Sequence, residues 1–361
     1  MVVSRSGVAE LRLCEGYVPQ YKEMVKLAHP FLKLIVEEYG TKEAVKRFSD
    51  PYWFQSFATA LGFEHNYTGA TTVTIRAVKE SLQNNDDIGL EVVGGKGIEA
   101  IKVYDHFKER GLDEFASISR EIAKADNVLM QDSYDLYFHA FIIDKDNFHY
   151  TVINQGMNVK NQLVRRYHWY DPGSYDGDSF STPVSTKQLN LKVQTELQKV
   201  SVDIMHDWPA EKITKKILLL RKNYEQFKKG QLTLLSKEEL KFFKEIKVMP
   251  FYLYFPKKLD VKALEVANQA SNYRELFLSP GMGKSALRGL AYLSALIYGK
   301  EIQWNDPQQY CYAFGTKAGK PWYVERKAMR EAASVLREIA EGLDVEFKKK
   351  KEVLKRLSRL I

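Results

Sequence analysis

Lysines held between glycines are the residues of this chain with the greatest chemical reach. Gly94-Gly95-Lys96-Gly97 sets an amine on an open backbone. Such an amine can reach a phosphate or, with a lowered pKa, attack a carbonyl to form a Schiff base. An ordinary exposed turn has the same composition. Gly315-Thr316-Lys317-Ala318-Gly319-Lys320-Pro321-Trp322 puts two lysines beside a ring in another Gly-flanked loop. It reads as cations for a nucleic-acid backbone and a platform for a base, or as a basic turn. Imine chemistry also needs a proton acceptor within reach. Asp132 and His139 offer a carboxylate and an imidazole, with Asp126 and Gln131 close in sequence. Any one of these alone is as readily structural.

The sharpest local signal is Leu278-Ser279-Pro280-Gly281-Met282-Gly283-Lys284-Ser285-Ala286, between two helical patterns. Gly281 and Gly283 permit a tight turn and close backbone approach. The helix that follows begins with free N–H groups, which favour a phosphate. The arrangement resembles the hairpin of helix-hairpin-helix motifs in DNA-repair glycosylases, polymerases and ligases. A plain helix–helix turn is the bland reading. A P-loop does not fit, because Leu278 stands where the first glycine belongs and a helix precedes the turn. In helix-hairpin-helix lyases the catalytic lysine falls just after the hairpin and an acid some way downstream. Here Lys284 is one position early, Ser285 occupies that place and Asp306 is the downstream acid. Lys284 therefore reads as a phosphate contact first and a nucleophile second.

Arg165-Arg166-Tyr167-His168-Trp169-Tyr170 interleaves cations with rings, as a strand-binding surface does. A buried aromatic strand looks similar. No HxH or HExxH pair occurs among the seven His, and the two cysteines, Cys14 and Cys311, form no CxxC. Metal-ligand spacing is therefore weak.

The elements that must position these residues are mostly helical. Apolar spacing predicts helices over 19–39, ended by Gly40, then 41–48, 51–62 opened by Asp50-Pro51, and 72–82. A strand over 88–93 runs into the GGKG loop, and helices follow near 99–110 and 113–125. Residues 134–144 and 148–155 form a β-hairpin across Lys145-Asp146-Asn147. The Gly-, Asn-, Asp- and Tyr-rich stretch 156–182 reads as a long loop. Helices then fill 188–205, 209–229, 236–246, 259–270, 272–278, 284–298 and 323–342. Residues 345–360 carry seven Lys/Arg against two Glu. They form either a solvated amphipathic terminal helix or a phosphate-contacting arm. The fold class is α+β, mostly helical, with a small antiparallel sheet in the N-terminal half. The C-terminal half is helical with a helix-hairpin-helix-like turn. The shift in composition near 180–190 divides the chain into 1–185 and 186–361.

Net charge is +8, from 54 Lys+Arg against 46 Asp+Glu, and the pI is about 9.0. That balance favours an anionic partner, nucleic acid or an acidic membrane surface, although charge enrichment at high temperature gives a similar excess. The first residues hold no apolar run of signal-peptide length, and no window reaches the apolar length of a membrane span. A cytoplasmic location and no membrane partner are expected.

Several segments recur in one order: Trp53-Phe54-Gln55, the turn 68–72, GGKG at 94–97, Gln131-Asp132 through to His139, NQGMN at 154–158, RRYHW at 165–169 and PGMGKSALRGLA at 280–291. Together they resemble the family called domain of unknown function 763, of archaea and some thermophilic bacteria, over nearly the whole chain. The pattern departs at Cys14, where the family has His, at Met249-Pro250-Phe251, and at 315–319, although Lys317 is retained. The resemblance implies abasic-site lyase activity in hyperthermophile DNA repair, within base excision repair. DNA containing abasic sites would be the partner. The expected roles are Lys96 as first nucleophile, then Lys317 and Lys284, with Asp132 or His139 as base. Arg165, Arg166, His168, Gly281, Gly283, Lys284 and Lys320 would hold DNA. The chemistry calls for no metal and no cofactor. A bifunctional glycosylase/lyase, a non-catalytic DNA- or RNA-binding protein and a metal-dependent nuclease are the alternatives.

Overall fold

In the computed structural model of the protein, Gly40 and Asp50 set where the first helices break and begin. The structure describes residues 18, 20–63, 69–83, 85, 87–160, 163–171, 174–180, 187–232, 235–306, 308–311 and 326–360. Helix α1 (Tyr21–Arg47) breaks at Gly40, whose φ of +80° suits glycine. Helix α2 (Pro51–Leu61) starts on Asp50, whose carboxylate accepts from the N–H of Tyr52 at 2.7 Å and of Trp53 at 3.1 Å. It stops at Gly62, φ +114°. All eleven of its residues are buried, so it is a central helix with no solvent face. Helix α3 (Gly69–Gln83) follows, and β1 (Leu90–Lys96) leads into α4 (Ile98–Ile101), α5 (Val103–Glu109) and α6 (Asp113–Lys124). A π-helical turn over Ala125–Leu129 precedes β2 (Met130–Gln131), β3 (Asp135–Asp144), β4 (Tyr150–Asn158), β5 (Leu163–Tyr170), β6 (Ser174–Phe180) and β7 (Leu189–Asn190). Helices α7 (Thr195–Asp207), α8 (Ala210–Lys228), α9 (Lys237–Lys247), α10 (Val261–Ala267), α11 (Tyr273–Leu278) and α12 (Lys284–Tyr298) come next. Strand β8 (Gln309–Cys311), α13 (Arg326–Gly342) and α14 (Phe347–Ser358) complete the described chain. The architecture is α+β and mostly helical, with a helical C-terminal region.

The chain divides into two compact units. One takes the described residues of 1–122, 134–184 and 308–361; the other takes those of 123–133 and 185–307. The junction near 185 is thus one crossing of several, and the last helices return to the first unit. Their apolar faces explain the return: Ala333, Leu336, Ile339, Val353 and Leu357 lie in one core with Phe31, Phe54, Phe57 and Val78 of α1–α3.

The first unit is built on a six-stranded sheet ordered β1-β3-β4-β5-β6-β8, antiparallel except for the parallel β6–β8 pair. Val92, Phe138, Ala140, Ile142 and Ile153 face the core made with α1–α3, α13 and α14. On the other face, Phe141 and Tyr150 pack against Phe107 of α5 and Phe115 of α6. Burial runs almost continuously along β3, β4 and β5. That is why the long loop expected over 156–182 is instead the end of β4, then β5 and β6. Their Arg, His, Asp and Ser side chains read as a loop in sequence but bond to one another inside. The β5–β6 register shifts between His168 and Trp169, beside Gly177 at φ +136°. The expected β3–β4 hairpin is present, and buried Asp144 closes it by accepting from the N–H of Asp146 and Asn147.

The second unit packs α7–α12 around rings: Tyr224, Phe242, Phe243, Phe255 and Tyr292. A two-stranded β2–β7 sheet lies at its side. It takes the place of the start of the helix expected from 188, and α7 begins at Thr195. No helix among the described residues is long and apolar enough to cross a membrane.

Candidate functional site

In the second unit, the α11–α12 turn is set by its glycines. Gly281 has φ +78°, and a Cβ there would lie 2.6 Å from the Ala263 Cβ of α10. Only glycine fits both the angle and the contact. Met282 is buried and anchors the turn. Gly283 N-caps α12 with extended backbone and no side-chain cap, so no side chain of the N-cap residue satisfies the first N–H groups of α12.

Lys284, the first residue of α12, reaches residue 132. Its Nζ donates to the Asp132 carbonyl at 3.2 Å and lies 3.7 Å from the Asp132 carboxylate, whose side chain is 1% exposed against 26% for Lys284. One turn on, Arg288 donates to Gln131 Oε1 at 2.7 Å and to the Tyr254 carbonyl at 3.0 Å. Burial lowers the Arg288 pKa. Lys124 donates to the Ser279 carbonyl at 2.8 Å, and Lys192 pairs with buried Asp126 at 2.9 Å. Lys124, Gln131 and Asp132 are thereby tied to the α11–α12 turn and to α12. Asp306, the acid expected downstream, instead accepts from Asn190 Nδ2 at 2.7 Å. The structure therefore unites two residues that the sequence nominated separately, Lys284 and Asp132. Sequence reasoning missed Arg288. Its signal was its spacing, four residues beyond Lys284 and on the same helix face.

In the first unit, Lys96 is exposed at the end of β1. Positive φ angles surround it at Gly94, Gly95 and Gly97. A Cβ on Gly94 would run into the His139 carbonyl, so glycine lets β1 close on β3. The ladder pairs Lys96 with Phe138 and Gly95 with His139. His139 is buried between two partners. Ser119 Oγ lies 2.8 Å from Nε2, and Asn154 Oδ1 lies 2.5 Å from Nδ1. An amide oxygen only accepts, so Nδ1 carries the hydrogen and Nε2 accepts from Ser119. Burial lowers the His139 pKa to about 4, the Asn154 bond opposing it. The result is a neutral imidazole wired into the interior. Asp132 and His139, offered as alternative bases, fall in different units.

Arg165, Arg166 and His168 are fully buried. The pleat sends Arg165 to one face of the sheet and Arg166 and His168 to the other. Arg165 pairs with buried Asp178. Arg166 lies 4.3 Å over the Phe54 ring and donates to His168 Nε2 at 2.9 Å, Thr71 Oγ1 at 3.3 Å and the Pro51 carbonyl at 3.3 Å. His168 is held neutral, its pKa well below the ordinary value through burial and then the Arg166 charge. The expected phosphate-gripping strand is thus an internal polar strand: all three side chains are buried, Arg166 and His168 against residues 48–54 and Arg165 against Asp178. Gln155, opposite Arg166 on β4, accepts from Thr71 Oγ1 at 2.5 Å. Residues of the segments around 53, 71, 154 and 165 meet here as scaffold. Lys317, Lys320 and the rest of 315–322, like Cys14, lie outside the described residues.

Among the described residues no group of three or more His, Cys, Asp or Glu could hold a metal ion. A family model described as "Protein of unknown function (DUF763)" matches residues 7–324. No curated protein and no solved structure matches the chain.

Proposed function

The chain belongs to the DUF763 family, and we propose that it is an abasic-site lyase, a DNA-binding protein that cuts the strand where a base is missing. The single observation that carries this reading is the Lys284–Asp132 pair at the head of α12, directly after the Gly281-Met282-Gly283 turn. An amine and a carboxylate there adjoin a helix start suited to a phosphate. Lys284 Nζ, after giving up a proton, adds to C1′ of the ring-opened sugar, and loss of water gives the imine. Asp132 takes a C2′ proton. The electron pair forms the C2′–C3′ double bond, and the C3′–O bond breaks with the phosphate leaving. Hydrolysis of the imine frees the lysine. Arg288 and Gln131 position Asp132 through the main chain beside it. Lys96, exposed at the end of β1, is the second candidate amine, and Lys317 the third.

Borohydride trapping on an abasic-site duplex tests this. The protein should form a covalent adduct. Lys284→Ala should bind the duplex yet lose both adduct and cleavage. Asp132→Asn should still form the adduct and cleave at least ~100-fold more slowly. An adduct that survives in Lys284→Ala and vanishes in Lys96→Ala would move the chemistry to the first unit. Binding with no adduct at all would leave a non-catalytic DNA-binding protein.

A further inference from the structure

Helix α14 sorts its cations. On its inner side Val353 and Leu357 enter the core of the first unit, and the neighbouring cations are engaged. Arg356 donates to the Ala60 carbonyl at 3.3 Å and lies 3.7 Å from Glu352. Lys350 donates to the Glu341 carbonyl at 3.1 Å, and Lys349 sits 3.8 Å from Glu23. Lys348, Lys351 and Lys355 are different. They are exposed, and among the described residues no acid pairs with them. Their spacing of three and then four residues puts them on one face of the helix, and Arg359 continues the line. Lys348 and Lys355 are about 10 Å apart along the axis. Duplex DNA carries one charge per roughly 1.7 Å of axis, so such a stripe meets several phosphates.

We propose that this outer face of α14 is a docking surface for the phosphate backbone of duplex DNA. The proposal rests on the DNA-binding half of the reading above and is separate from the lyase chemistry. The face lies beyond the family match, which ends at 324. Charge complementarity names the occupant: between 347 and 358 there are six Lys/Arg and one Glu. A membrane surface fits less well. A membrane-bound amphipathic helix buries its apolar face in lipid, whereas here that face is spent inside the protein. Phe347, 81% exposed, is the one large apolar side chain of α14 left outside.

The test measures affinity for an undamaged duplex across a salt series. It compares the full chain, a Lys348→Gln/Lys351→Gln/Lys355→Gln variant and a variant with exposed Lys42, Lys222 and Lys257 changed to Gln. The stripe variant should melt at the wild-type temperature and bind more weakly. The slope of log affinity against log salt should flatten by about 2.7, or about 0.9 per lost phosphate contact. The scattered variant should keep nearly the wild-type slope. The stripe variant should still form the borohydride adduct with abasic DNA at low salt. An unchanged slope in the stripe variant overturns the proposal while leaving the lyase reading intact. So does loss of binding to phosphatidylserine vesicles with DNA affinity unaltered. A wild-type protein that binds no DNA overturns both.

Discussion

His139 and Lys284 show how far residue type alone predicts role. Both were nominated from the sequence for proton or amine chemistry. Lys284 lies beside Asp132, a partner 152 residues away; His139 is sealed between Ser119 and Asn154. Spacing along the chain cannot report such pairings, because the approach is made by the fold. The buried imidazole has a measurable consequence. Its folded pKa is about 4 against roughly 6.5 in an unfolded chain. Between those values the unfolded state binds the extra proton, so stability is fully present above pH 6.5 and declines as pH falls toward 4. The loss is on the order of 3 kcal/mol for this one group. Melting measured from pH 7 to 4.5 should show the decline, and His139→Gln should reduce it; an identical profile in that variant would assign the acid sensitivity elsewhere. The buried Arg165 and Arg166 carry the opposite lesson. A run of cations and rings looks like a binding surface until the fold buries its strand.

At the level of elements, local signals were strong wherever a cap or glycine enforces a boundary. Asp50-Pro51, Gly40, Gly62 and the α11–α12 turn could all be read from sequence. The β5–β6 stretch could not, since buried polar strands lack the apolar alternation that marks a half-exposed one. The two hairpin glycines make separable predictions. Gly281→Ala forces a side chain into positive φ and against Ala263, and should cost about 1–3 kcal/mol, read as a lowered melting temperature. Gly283→Ala meets nothing nearer than 4.0 Å and has extended backbone, so its melting temperature should change little. Equal losses in the two variants would contradict the contact with α10.

For the whole molecule, amphipathic helices were legible but their destination was not. The apolar stripe of α13 and α14 states that they are buried; only the fold shows that they complete the first unit. Removing residues 346–361 should therefore destabilise that unit. Val353, Leu357 and Leu360 are each buried, and such side chains contribute about 1.5–3 kcal/mol apiece. Proteolysis of the shortened chain should cut first within 1–122, and resistance there equal to wild type would refute the assignment. The discontinuity also bears on biosynthesis. Ribosomes emit the chain from its N-terminus at about 5–20 residues per second. The described residues of 185–307 emerge before α13 and α14 exist. For several seconds at least, the nascent first unit holds a half-finished interior, and whatever shields it during that interval works as a chaperone for this protein.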